Sequence, residues 1–255
     1  MKRGSVFLRV IAIASLGVMA ATMTESAAQP FNPIRALSTW YTDRTLVDIE
    51  VVGSTSLVPR LHRLEPERML RFRLERAYVQ FFGAQTDPGF ELVTFSFDME
   101  TGLPESLLAA VATIGRFHED IPGVPRLPQS ERLRRTLMIS LKSDLSMESL
   151  QRLSDNLRKC RGTQVGNGLW AYEWKDRANC FRPAFPKGSQ YVASYNNELL
   201  LNIQCQEATD PGLGCAVRFP FEGFGVETTF HRDHLSGWRE TIERASAYLK
   251  SKRYQ

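Results

Sequence analysis

Histidine and cysteine are scarce here, four of each in 255 residues, and the motifs that usually organise catalysis around them are missing. There is no G-x-S-x-G elbow, no H-E-x-x-H helix, no P-loop and no G-x-G-x-x-G turn. No apolar run approaches the roughly 20 residues that cross a bilayer. Neither charge sign dominates, with 32 Lys and Arg against 28 Asp and Glu, so the broad basic face of a nucleic-acid binder is absent. Cysteine is too sparse for a small disulfide knot, and a content of 43% hydrophobic residues is too high for a disordered chain.

What is present begins with an address. Lys2, Arg3 and Arg9 precede an uncharged run from Val10 to Met23, and Ser26-Ala27-Ala28 supplies small residues before Gln29. That order predicts a secretory signal peptide over residues 1–28, cleaved rather than kept as a membrane anchor. Cleavage removes Lys2, Arg3, Arg9 and Glu25, lowering the formal net charge from +4 to +2. The mature protein is then periplasmic or secreted. Cys160, Cys180, Cys205 and Cys215 fit that oxidising destination as two disulfides. Four cysteines allow three connectivities, and the short intervening segments favour Cys160 with Cys180 and Cys205 with Cys215.

Side-chain alternation predicts strands at 45–52, 68–82, 91–99, 135–142, 168–175, 190–195 and 199–206, and a hairpin over 215–230 turning at Glu222-Gly223. In the second of these, Leu70, Phe72 and Leu74 face inward while Arg71, Arg73 and Glu75 face water. In the third, Val93, Phe95 and Phe97 form the core face. Helices are expected within 104–117, over 146–158 with Ser146 as cap, and from about His234 to Ser251 with Asp233 as cap. The last presents Leu235, Trp238, Ile242, Ala245 and Leu249 as one stripe. The reading is an α+β fold of mostly antiparallel sheets with a few segregated helices, the C-terminal helix packed on a sheet. Pro122, Pro125 and Pro128 mark a boundary between a β-rich half, 29–125, and an α+β half, 126–255, with one continuous domain as the alternative reading.

Candidate chemistry is thin. His231 and His234 flank Asp233 in an H-R-D-H turn, the one pair spaced for a shared metal ion or for acid–base work. His118-Glu119-Asp120 reads as a surface turn, and Asp98 with Glu100, or Glu173 with Asp176, as ordinary carboxylates near strand ends. Trp170, Tyr172 and Trp174 share one strand face and form either core or a recognition platform. Arg71 and Arg73 are further interaction candidates.

The run C-A-V-R-F-P-F-E-G-F-G-V-E-T-T-F-H-R-D-H-L-S-G-W-R-E-T-I, with the earlier R-F-R-L-E-R-A-Y-V, resembles a loose group of uncharacterised exported proteobacterial proteins. In these a cysteine-bearing hairpin enters a helix through Phe-x-x-x-x-Leu-x-x-Trp, here Phe230, Leu235 and Trp238. Some members are similar to periplasmic immunity proteins that neutralise type VI secretion toxins. The resemblance implies a protein partner, a toxin, and transfers no catalytic residue. The expectation is therefore a non-catalytic periplasmic binding protein, with no cofactor, no nucleic acid and no stable membrane anchor. Its rivals are an envelope hydrolase using His231, Asp233 and His234, and a carrier of a small apolar ligand between sheet and helix.

Overall fold

The computed structural model describes residues 42–54, 64–82, 92–114, 121–160, 162–172, 188–196, 198–206 and 214–254. Two compact units are delimited, Met1–Leu37 and Ser38–Gln255. The first, which holds the expected signal peptide, lies outside the described residues, as do Trp174, Cys180, Glu173, Asp176, His62 and His118-Glu119-Asp120.

Strands β1 (Leu46–Ser54) and β2 (Leu64–Glu75) form an antiparallel pair of their own. The expected alternation holds: Leu70, Phe72 and Leu74 are buried with Ile49 and Val51, while Arg71 and Arg73 are exposed. The single strand expected over 68–82 is a misreading, because the chain breaks at a 3-10 turn, Arg76–Tyr78, and resumes as β3 (Val79–Phe82) in a different sheet. Ala77 and Tyr78 are both buried at this crossing. The Ala77 N–H donates to Asp43 O at 2.9 Å, and the Tyr78 hydroxyl donates to Gly102 O, also at 2.9 Å. The turn's main chain and phenol thus find acceptors outside any strand ladder, which stabilises the break.

The remaining strands are β4 (Leu92–Asp98), β5 (Thr136–Ser146), β6 (Thr163–Gly166), β7 (Leu169–Tyr172), β8 (Ser189–Tyr195), β9 (Leu199–Cys205), β10 (Cys215–Phe221) and β11 (Phe224–Phe230). They join β3 in a nine-stranded sheet of order β3-β4-β5-β11-β10-β9-β8-β7-β6, in which every neighbouring pair is antiparallel. Strands from both sides of the proline-rich segment 121–128 therefore lie in one sheet. The β10–β11 hairpin turns at Glu222-Gly223 as expected, with φ of 47° and 84°. Both values are positive, as a two-residue turn matching the strand twist requires. Pairing between β9 and β10 ends at Val217 opposite Ile203. Past that point the Leu200 N–H turns to the Ser154 hydroxyl at 2.9 Å instead.

Four helices complete the described fold: α1 (Glu105–Ile114), α2 (Gln129–Arg135), α3 (Met147–Leu157) and α4 (Trp238–Lys252). Helix α3 starts at Ser146 as expected, but its reciprocal cap is Ser149. The Ser149 N–H donates to Ser146 Oγ at 3.2 Å, and the Ser146 N–H donates to Ser149 Oγ at 3.1 Å. Helix α4 begins later than predicted, with Gly237 as its cap, and Asp233 caps nothing. A separate 3-10 turn, Arg232–His234, intervenes. The expected stripe is otherwise present, with Trp238, Ile242, Ala245 and Leu249 fully buried against the sheet and Leu235 partly so.

One face of the sheet carries the main core. Val93, Phe95 and Phe97 on β4, Leu137, Ile139 and Leu141 on β5, Val217 and Phe219 on β10, and Val226 and Phe230 on β11 merge with β1, β2 and α4 in one cluster. The space between sheet and C-terminal helix, where an apolar ligand would sit, is filled by these side chains. Cys205 and Cys215 stand directly opposite each other on β9 and β10 and are joined by a disulfide, both sulfurs inside this core. Cys160, after α3, is also disulfide-bonded. Replacing Cys205 and Cys215 together with serine should cost on the order of 3 kcal/mol, as the 10-residue closure is lost from the unfolded chain. Urea unfolding with and without reductant checks this: the variant should lose the reductant-sensitive step belonging to that bridge.

Candidate interaction surface

The far edge of the sheet is built by a tight hairpin. Gly166, Asn167 and Gly168 have φ of 99°, 51° and 71°, a left-handed run that glycine and asparagine tolerate with least strain. At Gly168 the backbone also approaches Arg239 so closely that an added Cβ would lie 2.8 Å from its guanidinium. The tip is fixed from the core side. Trp238 Nε1 and Arg239 Nη1 both donate to Asn167 O at 3.1 Å, Arg239 Nη2 donates to Ser194 O at 3.3 Å, and the guanidinium stacks 4.3 Å over the Trp238 ring. Helix α4 thus holds the hairpin through its own first turn.

On β7, Leu169 points into the core, so Trp170 and Tyr172 occupy the opposite face by alternation. Both are half-buried. Trp170 stands across from Gln164 and Val192, and Tyr172 across from Gln190. The next strand adds Asn202 beside Val192 and Gln204 beside Gln190. Gln190 Nε2 donates to Asn202 Oδ1 at 3.0 Å, so this buried amide pair satisfies itself. Burial raises the Tyr172 phenol pKa, so the ring stays neutral and able to donate. The two half-buried rings form an uncharged patch over this buried amide pair, and β6 continues it to the sheet edge, where all four residues are exposed and Val165 is 52% accessible. Strand β6 was not foreseen, although Asn167-Gly168 is a strong hairpin signal.

The other sequence candidates lie elsewhere. Arg71 and Arg73 are on the outer face of β2, each opposite a carboxylate of β1. Arg71 Nε is 2.9 Å from Glu50, and Arg73 holds Asp48 in a fork at 2.6 and 2.9 Å. These pairs neutralise the arginines locally and hold Asp48 below the usual carboxylate range through the Arg73 hydrogen bond. The β1–β2 pair rests against β5, five strand steps from β7, or about 24 Å at the usual spacing. It lies on the core side of the sheet, whereas Trp170 and Tyr172 point away from that side. The arginines and the aromatic rings therefore do not form one surface.

The H-R-D-H turn is brought together only in part. His231 Nδ1 accepts from the Asp233 N–H at 3.3 Å, and His234 Nε2–H donates to Arg134 O at 2.8 Å. Each ring has a main-chain partner of its own. Among the described residues, no three His, Cys, Asp or Glu side chains gather as a metal site would require. The carboxylates near strand ends are engaged as well. Asp98 is bound by Arg135, which also reaches Glu100 at 3.0 Å; in the middle of β11, Glu227 lies between Arg218 at 2.7 Å and Lys142 at 3.2 Å. Among the described residues no helix is long and apolar enough to cross a membrane.

Comparison with known proteins matches the chain to no family model and to no curated protein. Among solved structures it is similar to an immunity protein of the Stenotrophomonas maltophilia type IV secretion system. The identity is 14%, the match covers 80% of this chain and 99% of that one, and the TM-score is 0.44.

Proposed function

We propose that this chain is an exported, non-catalytic protein that binds another protein, in the manner of periplasmic immunity proteins that neutralise a toxin. The observation that carries the reading is the uncharged patch of the half-buried rings Trp170 and Tyr172, running into the exposed strand β6. Tryptophan and tyrosine supply large contact area with few rotamers to freeze, which is why they dominate the energetics of protein interfaces. The buried cross-strand disulfide between Cys205 and Cys215 fits an oxidising compartment. The sequence resemblance to exported immunity-like proteins points the same way. The hydrolase alternative draws less support, because His231 and His234 are each committed to main-chain groups.

The test is co-purification of the tagged protein from envelope extract, followed by substitution. A stoichiometric protein partner is expected, and Trp170→Ala should weaken its binding by at least tenfold, since interface aromatics cost about 2 kcal/mol or more when truncated. Because Trp170 is only half-buried, the same change should lower the melting temperature far less than truncating a core tryptophan. A variant that unfolds while the partner's affinity per folded molecule is unchanged would mark Trp170 as core and remove the patch from the reading.

A further inference from the structure

We infer that β6 is a pairing edge: an extended segment of the protein partner adds to the sheet as a further strand beside Thr163–Gly166, and that segment is uncharged where it pairs and acidic at its ends. The inference rests on the protein-binding reading and adds the place and the chemistry of contact. Strand β6 is the last in the sheet order, is bonded on one side by β7, and all four of its residues are exposed. Exposed edges are ordinarily blunted by charged side chains or proline, which deter an incoming strand. Between Gly162 and Tyr172 there is no charged residue and no proline. The one irregularity is a bulge at Val165, where the register with β7 slips between Gln164 and Gly166. A bulge limits pairing to a short segment and re-aims a side chain, here leaving a β-branched aliphatic group 52% accessible at the rim. Such an edge takes a strand by main-chain hydrogen bonds, with the accessible Val165 available to its side chains.

The choice of occupant follows from the charges at either end. Lys159, three residues before Gly162, is exposed; its ammonium reaches Asn156 Oδ1 at 3.4 Å and has no ion pair among the described residues. Arg239, at the hairpin tip, is exposed, is held by two carbonyls and the Trp238 ring, and has no ion pair among the described residues. An uncharged strand is thus bracketed by two cations that have no ion pair among the described residues. A second copy pairing about a two-fold axis would bring the Lys159 end of one chain to the Arg239 end of the other, which like charges disfavour. A segment with a carboxylate at each end meets both cations favourably.

The experiment uses the full disulfide-bonded protein, isotopically labelled for amide resonances, and two synthetic peptides with the same Thr-Val-Thr-Val core. One peptide is flanked by aspartate and the other by lysine. The aspartate-flanked peptide should bind at least tenfold more tightly, with amide shifts and slowed hydrogen exchange centred on Thr163–Gly166. Val165→Lys, at an accessible position, should weaken it about tenfold or more with the melting temperature unchanged. Equal affinity for the two peptides, no binding, shifts located elsewhere or insensitivity to Val165→Lys would each overturn the inference. So would light scattering that showed a dimer abolished by Val165→Lys, since the occupant would then be a second copy. A co-purified protein partner retained in full by Val165→Lys would sink this edge alone, whereas absence of any partner would sink the protein-binding reading itself.

Discussion

Trp238→Ala should lower the melting temperature by about 10 °C. The indole is fully buried at the start of α4, and its cluster includes residues of β4, β5, β10 and β11. Truncating a buried tryptophan costs about 3 to 5 kcal/mol through lost transfer energy and the cavity left behind. For a chain of this size each kcal/mol moves the midpoint by about 2 to 4 °C. The indole N–H also donates to Asn167 O, and the Arg239 guanidinium rests on the ring, so the substitution loosens the β6–β7 hairpin as well as the core. Trp238→Phe separates the two effects: it keeps most of the volume and loses the hydrogen bond, a cost of about 1 kcal/mol. Thermal melts followed by circular dichroism measure the first quantity, and hydrogen exchange at Gly168 and Leu169 the second. A shift below about 3 °C for the alanine variant would mean that the helix is not clamped to the sheet as described.

What the sequence made legible was wherever local pattern and tertiary environment agree. Phe224, Val226, Thr228 and Phe230 alternate in β11 and all are buried, because that strand lies inside the sheet with one face on α4. The Trp238 to Leu249 stripe has helical spacing for the same reason. Legibility failed where tertiary structure overrides a local pattern. Residues 68–82 alternate almost without interruption, yet the chain leaves one sheet and enters another at Arg76–Tyr78, and only the acceptors at Asp43 and Gly102 reveal it. Thr94 and Ser96 look like the wet face of β4 but are buried. Asp233 looks like a helix cap, but it lies in a separate 3-10 turn, and the helix starts at Trp238 with Gly237 as its cap. For the candidate surface, the sequence showed that Trp170 and Tyr172 share a face. It could not show that Arg71 and Arg73 lie far from them, since strand order is not encoded in any short window. Strand β6 was missed because Thr163–Gly166 carries a single large apolar residue, although Asn167-Gly168 announced its turn.

The second large effect is expected from Asp98, and its sign depends on pH. The carboxylate is fully buried at the end of β4. Arg135 grips it with two hydrogen bonds, at 2.7 and 2.8 Å, and Oδ1 also accepts from the Glu100 N–H, the Thr101 N–H and the Thr101 hydroxyl. This knot closes the turn leading to α1 and ties it to the start of β5. Burial alone would raise the carboxyl pKa, but the Arg135 and Thr101 hydrogen bonds outweigh it and leave the pKa below the ordinary value of 3.8. A depressed native pKa means that the ionised form is favoured by folding. The stabilisation is therefore complete above about pH 4 and is lost as pH falls through the native value. At pH 7, Asp98→Asn should cost about 3 to 5 kcal/mol, because it leaves the Arg135 guanidinium, only 12% accessible, without its counter-charge. As the pH falls below the ordinary carboxyl value and through the lowered native one, the wild-type group protonates too, so the gap between wild type and variant should narrow. Glu227, whose pKa the Arg218 hydrogen bond lowers against the effect of burial, loses stability in acid in both proteins and cancels from the difference. Urea denaturation of the pair at pH 7 and at pH 3 measures both gaps; if they are equal, the charge on Asp98 is not what holds the turn.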